Sequence, residues 1–276
     1  MKPDDLKRMP SDLPSALTAA TKLHIAPIFK ESPLQAAVKG SGREMRDQGT
    51  MTFIFYRDMC FGITNQHVTQ NFKRPTSEEA MVLALSTHVP MPGRLIFSST
   101  RTNADFPHDV SVFILNEDSI RAGGKTPLPL VHRKSPVIEK SRYLALGYPG
   151  HMRSHTEIGT RHPIYHIVAT CVLSSERQFI LQDELPASSE VMRFGGVSGG
   201  AVVETDDDGG YSLVGVIFEG RGQHEDVEHR VNEKDIWVYG VPIDQKWMDY
   251  ILSDVHSKGL SLDVRPLKIS VNIAPI

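Results

Sequence analysis

Residues 194–220 read FGGVSGGAVVETDDDGGYSLVGVIFEG, and this stretch decides the architecture. A serine, Ser198, stands among glycines. A short apolar run (201–204), a polar turn and a second apolar run (211–220) follow it. Asp208-Gly209 in the turn is hairpin chemistry. The spacing Gly196-x-Ser198-x-Gly200 also fits the nucleophile elbow of α/β-hydrolases, which needs strand, turn and then helix. Here a strand follows, and no strand–helix alternation precedes the serine. That architecture is disfavoured.

Outward from this hairpin the texture is the same. Short β-type runs recur at 50–56, 60–64, 81–86, 93–99, 109–115, 143–148, 165–175 and 235–243, separated by turn residues. Such spacing predicts an all-β chain. Two helices are expected. One spans 11–23, with Ser11 or Asp12 as N-cap and Pro14 in its first turn. The other spans 244–255, where Trp247, Tyr250 and Ile251 recur at the interval of one buried face. A Pro/Gly/Lys-rich stretch at 123–136 divides the β region into halves. The expected architecture is two antiparallel β-barrels of six-stranded type, with a C-terminal helix and a short N-terminal helical extension. The boundaries are 1–35 for the extension, about 36–125 and about 135–243 for the barrels, 244–255 for the closing helix and 256–276 for a tail.

A chain of 276 residues with a formal net charge of −3 is long enough for one large core or two modest ones. Its lysines and arginines are dispersed rather than gathered into the basic face that nucleic acid requires. The N-terminus is polar and interrupted by prolines, without the apolar region of a secretory signal. No run approaches the roughly 18 apolar residues of a membrane span. Two cysteines, Cys60 and Cys171, fit buried thiols in a reducing compartment better than a disulfide framework. A cytoplasmic location is expected, with no cofactor, no nucleic-acid partner and no membrane.

The chemistry-bearing residues follow. A serine hydroxyl attacks well only when a neighbouring base takes its proton, and the resulting oxyanion needs fixed N–H donors. Glycines around Ser198 let the backbone turn sharply and aim the amides of Gly196 and Ser198 into one small hole. His67, at the end of the run FGITNQHV (61–68), is the candidate base. Asp109 opens the apolar run DVSVFIL (109–115), and its carboxylate needs a partner such as an imidazole N–H. Asp105 is its nearest competitor. The order His67, Asp109, Ser198 puts base and acid in the first half and nucleophile in the second. That is what a cleft between two barrels requires, and it is the chymotrypsin-type order among convergent triads.

On these residues the chain resembles the trypsin/chymotrypsin-like serine peptidases, closest to the bacterial HtrA/Deg-like protease domain, over roughly 40–255. TNQHV (64–68) is similar to that branch's histidine motif, DVSVFIL to its aspartate strand and GYPG (147–150) to its second-barrel turn. GVSGG (196–200) is similar to its serine loop and GVPID (240–244) to its closing strand. The resemblance implies an endopeptidase acting on protein or peptide substrates through a Ser198–His67–Asp109 triad, with Phe218, Glu219 and Gly220 pairing with substrate backbone. It implies Met192 at the base of the specificity pocket, Gly220 on its wall and Trp237 or Val238 near its floor. No acidic residue stands at that base, so a small or medium apolar side chain is expected before the cut, with Arg193 beside Met192 leaving an acidic one as the alternative. Val197 replaces the aspartate that captures a freed N-terminus in secreted trypsins. No PDZ domain follows, which leaves regulation to a protein partner or to residues 1–35. The alternative is an inactive trypsin-fold protein that binds peptides or partners through the cleft.

Two further patterns carry less. His151, His155, His162 and His166 form two H-x₃-H pairs, but Gly150, Gly159 and Pro163 interrupt any helix that would give the spacing a zinc geometry, so no metal is expected. The acidic run 206–208 lacks the downstream ligands of a calcium loop.

Overall fold

The computed structural model describes residues 13–31, 48–70, 80–85, 88–100, 102, 108–131, 137–152, 154–156, 159–184, 195–205, 210–221 and 235–263. The first half contributes strands β1 (Ile25–Glu31), β2 (Gln48–Tyr56), β3 (Met59–Thr64), β4 (Ala80–Ala84), β5 (His88–Pro90), β6 (Gly93–Ser99), β7 (Val110–Leu115) and β8 (Leu128–Pro129). They form one sheet in the order β5-β4-β1-β2-β3-β7-β6, with β8 parallel to β2. Its neighbouring strands otherwise run antiparallel, as short connections allow. Arg57 and Asp58, both at positive φ, close the β2–β3 hairpin; two such residues in a row match the right-handed twist of the flanking strands.

The second half contributes β9 (Arg142–Gly147), β12 (Tyr165–Ser174), β13 (Phe179–Glu184), β14 (Ala201–Thr205), β15 (Tyr211–Arg221) and β16 (Asp235–Pro242). These six close into a barrel in the order β12-β13-β16-β15-β14-β9. A separate hairpin, β10 (Ser154–Thr156) with β11 (Gly159–Arg161), stands beside it. The expected double β-architecture is present, as one closed six-stranded barrel and a half-barrel.

Side-chain alternation explains the packing. Along β2, Met51 and Phe53 join one buried cluster with Ile28, Leu83, Phe113 and Leu115. Ile54 and Tyr56 join another, which reaches Leu144 and Val203 of the second half and Met248 of the closing helix. The first sheet is therefore buried on both faces, and this is why 110–115 is buried at every position, Ser111 included, and carries apolar residues on both faces rather than on one. The barrel encloses a third cluster that includes Tyr143, Phe179, Leu181, Val214 and Val238.

Two expectations need correction. Residues 25–31, assigned by sequence to an N-terminal extension, pair with both β2 and β4 as an interior strand. Among the described residues of that segment, the helix Leu13–Thr21 and a 3-10 turn at Lys22–His24 lie outside the sheet, and the N-cap positions 11 and 12 lie outside the described residues. The strand escaped notice because Pro27 reads as a strand breaker. The closing helix, Gln245–Ser257, buries Met248, Ile251, Leu252 and Val255, whereas Tyr250 is exposed. The apolar face is turned from the one expected, and its spacing of i, i+3, i+4, i+7 is the more regular helical stripe. Asp244 caps it by accepting from the Trp247 amide at 2.7 Å. Cys60 and Cys171 are buried free thiols, pushed up in pKa by desolvation, Cys60 to about 12.

Candidate active site

The end of β3 positions His67, the candidate base. After Thr64 the chain turns through Asn65 into a short helix, Gln66–Gln70, which stands His67 at the sheet's end. Asp109 immediately precedes β7, which pairs with β3 in the register Thr64↔Ser111. Two neighbouring strands therefore hold the two residues side by side. Asp109 accepts from the His67 backbone amide (Oδ1, 3.0 Å) and meets ring Nδ1 (Oδ2, 2.5 Å). The carboxylate is mostly buried, while the imidazole is half exposed. With Nδ1 held by Asp109, Nε2 is the nitrogen left for a substrate-facing role. Buried Asn65 donates to the Asp109 carbonyl at 2.7 Å and fixes the aspartate's backbone.

Ser198 lies on the loop between Gly195 and β14. The glycines there have a steric cause. Gly196 and Gly199 have φ of +99° and +88°, the left-handed region that L-residues avoid. A Cβ on Gly196 would stand 2.6 Å from the Tyr148 carbonyl, and one on Gly199 would stand 1.9 Å from the Thr50 carbonyl. The half-barrel grips the loop directly. The Thr50 amide donates to the Ser198 carbonyl at 2.7 Å, and Thr52 Oγ1 donates to the Gly199 carbonyl at 2.8 Å. Val68, next to the base, and the Ser198 carbonyl meet over Gly49, where a Cβ would lie 2.7 Å from Val68 Cγ1 and 3.2 Å from that oxygen. The His67 and Ser198 segments thus border one junction between the halves.

The Ser198 hydroxyl itself donates to the Phe218 carbonyl at 3.4 Å. Among the described residues no hydrogen bond joins it to His67. Phe218 occupies a bulge in β15, where the register against β16 shifts between Ile217 and Glu219. Its ring is buried and meets Tyr239 at 5.9 Å. Glu219 and Gly220 are half-buried on the same strand. The pairing of β14 with β15 ends at Val216, while that of β16 runs on to Arg221. Val238 points into the barrel core; Trp237, one residue earlier, faces the other way. Met192 and Asp105 lie outside the described residues.

A cavity of about 270 Å³ opens beside Asp109, lined by His108, Asp109, Arg177, Gln178 and Phe218 among others. Burial, aided by the Arg177 guanidinium, pushes the His108 imidazole down to about 4. The clustered histidines do not share a helix: His155 is on β10 and His166 on β12, and the His162 ring stacks on Phe29 at 5.5 Å. The acidic turn 206–208 and its Asp208-Gly209 corner fall outside the described residues.

Sequence reasoning missed Thr50, Thr52, Asn65 and His108. The alternation Thr50-Met51-Thr52-Phe53 was the available signal, but threonines alternating with apolar residues read equally as the solvent face of a strand.

No family model and no curated protein matches the chain. Among solved structures it resembles the scabies mite inactivated protease paralogue S-I1, with 14% sequence identity, a TM-score of 0.50, and 86% of this chain and 96% of that chain covered. At that identity the likeness speaks for architecture alone. Together with a closed six-stranded barrel, a facing half-barrel and a C-terminal helix, it assigns the chain the trypsin-like fold.

Proposed function

We propose that the protein is a serine endopeptidase, similar in its motifs to the HtrA/Deg-like branch and acting on intracellular protein or peptide substrates. The observation that carries this reading is the two-point grip of Asp109 on the backbone and ring of His67, beside a serine loop in which a side chain at Gly196, Gly199 or Gly200 would collide with a backbone carbonyl. Ser198 Oγ attacks the scissile carbonyl, and His67 Nε2 takes its proton and returns it to the leaving amine. Asp109 holds the imidazole in that tautomer and stabilises its cation. The amides of Gly196 and Ser198 receive the oxyanion; among the described residues neither bonds to another acceptor. Glu219 and Gly220 lie along the strand on which substrate backbone is read, and a small or medium apolar residue precedes the cut.

A second reading, a trypsin-fold protein that binds peptides without cleaving them, is favoured by the hydrogen bond of Ser198 Oγ to Phe218 rather than to His67. Catalytic hydrogen bonds of this kind often form or tighten only with substrate bound. A fluorophosphonate probe decides between the two readings. Covalent labelling and hydrolysis of fluorescein-casein, both abolished in Ser198→Ala, support the peptidase; an unlabelled, inert wild type leaves the binding protein. Cleavage of a peptide library then tests specificity, and dominant cutting after Arg or Lys would refute the apolar preference.

A further inference from the structure

Five consecutive carbonyls of the serine loop are each held by a named donor. The Gly195 oxygen accepts from the Gly150 amide at 2.7 Å and the Val197 oxygen from the Gly200 amide at 2.8 Å. The Gly196 oxygen accepts from Thr50 Oγ1 at 2.9 Å, the Ser198 oxygen from the Thr50 amide at 2.7 Å and the Gly199 oxygen from Thr52 Oγ1. In a trans peptide the N–H points opposite to the preceding carbonyl, and no peptide here is cis. Fixing the Gly195 and Val197 carbonyls therefore aims the amides of Gly196 and Ser198, the two oxyanion donors. The peptide between those two donors, Gly196–Val197, sets their mutual angle. It follows a glycine, whose torsions reverse at little cost, so it is the weak point of the hole.

Thr50 closes that weak point from the other half of the molecule. Its hydroxyl donates to the Gly196 carbonyl and also accepts from the Tyr148 amide at 3.0 Å, so both its donor and acceptor capacities are used. Its own carbonyl is held by Thr64 Oγ1 at 2.8 Å. Its amide holds the peptide on the far side of Ser198. Thr50 and Thr64 are both fully buried. We propose that Thr50 is a positioning residue for the oxyanion hole, locking the Gly196–Val197 peptide so that both donors converge on one point. The inference rests on the peptidase reading. It adds that half of the transition-state geometry is imposed by a half-barrel residue that touches no substrate.

The test is kcat and KM on fluorescein-casein, with the inactivation rate by diisopropyl fluorophosphate, for Thr50→Val, Thr50→Ser, Thr50→Cys and Thr52→Val. Thermal unfolding of each variant serves as the folding control. Losing the hydroxyl should lower kcat and the inactivation rate about 10²-fold, the effect of a misplaced oxyanion donor, with KM within about twofold of wild type. Thr50→Ser should recover most of the rate. Thr50→Cys, whose thiol donates weakly, should fall between, and it keeps the test open if Thr50→Val does not fold. Thr52→Val, which frees only the Gly199 carbonyl outside the two donor peptides, should lose far less. A folded Thr50→Val with unchanged kcat, equal losses at positions 50 and 52, or no recovery in Thr50→Ser would each overturn the assignment while leaving the peptidase intact. A wild type inert to both reagents would overturn the peptidase reading itself, and this inference with it.

Discussion

The barrel and the half-barrel cover their sheets by different means. In the barrel, six strands close on themselves, which removes every exposed edge. Its interior is filled by Phe179, against whose ring a Cβ at Gly240 would stand 2.1 Å away and one at Gly215 2.7 Å away. The half-barrel stays open among the described residues and is covered from outside. One of its clusters runs continuously into the second half and the closing helix. Thr50 and Thr52 tie it to the serine loop, and buried His24 ties it to Tyr211 at 2.7 Å. The closed half encloses a cluster of its own, whereas a cluster of the open half is completed by its neighbour. His67 and Asp109 sit in the open half and Ser198 in the closed one, so on the peptidase reading proposed above the catalytic geometry is a property of the junction.

The sharpest way to break this comparison is at the junction's chemistry. Asp109→Asn keeps the shape but supplies an amide where His67 needs a carboxylate; kcat on casein should drop about 10⁴-fold with the thermal midpoint nearly unchanged. A comparable loss of stability would make Asp109 a structural residue first. Next in size is the barrel's filling. Phe179→Ala should cost about 3–5 kcal/mol in urea unfolding followed by Trp237 and Trp247. Because the two halves share a cluster, far-ultraviolet circular dichroism should report the same midpoint; separated transitions would show that the halves fold independently.

Gly199→Ala tests the junction's packing. A Cβ there meets the Thr50 carbonyl at a positive φ, and the strain should cost about 1–3 kcal/mol together with most activity, since the serine loop must move. Acid provides a further lever. His108 in the folded chain resists protonation until about pH 4, while in the unfolded chain it takes up a proton near its ordinary pKa of about 6.5. Between these values the unfolded state binds more protons, so stability falls as pH drops from 6.5 towards 4. His108→Leu should flatten that part of a urea-midpoint profile; an unchanged slope would assign the acid sensitivity elsewhere. Smallest is the closing helix: Asp244→Ala removes its cap and should cost about 1 kcal/mol, read as a lower thermal midpoint.

The β class, most strand positions, the closing helix and the tight glycine loop around Ser198 were legible in the amino-acid order, because turn residues, apolar runs and glycines express local physics; the pairing of His67 with Asp109 was legible as a candidate. The pairing of β1 and the turned face of the closing helix were not, because Pro27 and Tyr250 carry local signals that tertiary context overrides. Nor was the role of Thr50 and Thr52. A threonine has the same local preference whether it faces water or a carbonyl from a segment nearly 150 positions away, and only the docking of one sheet against the other decides which it meets.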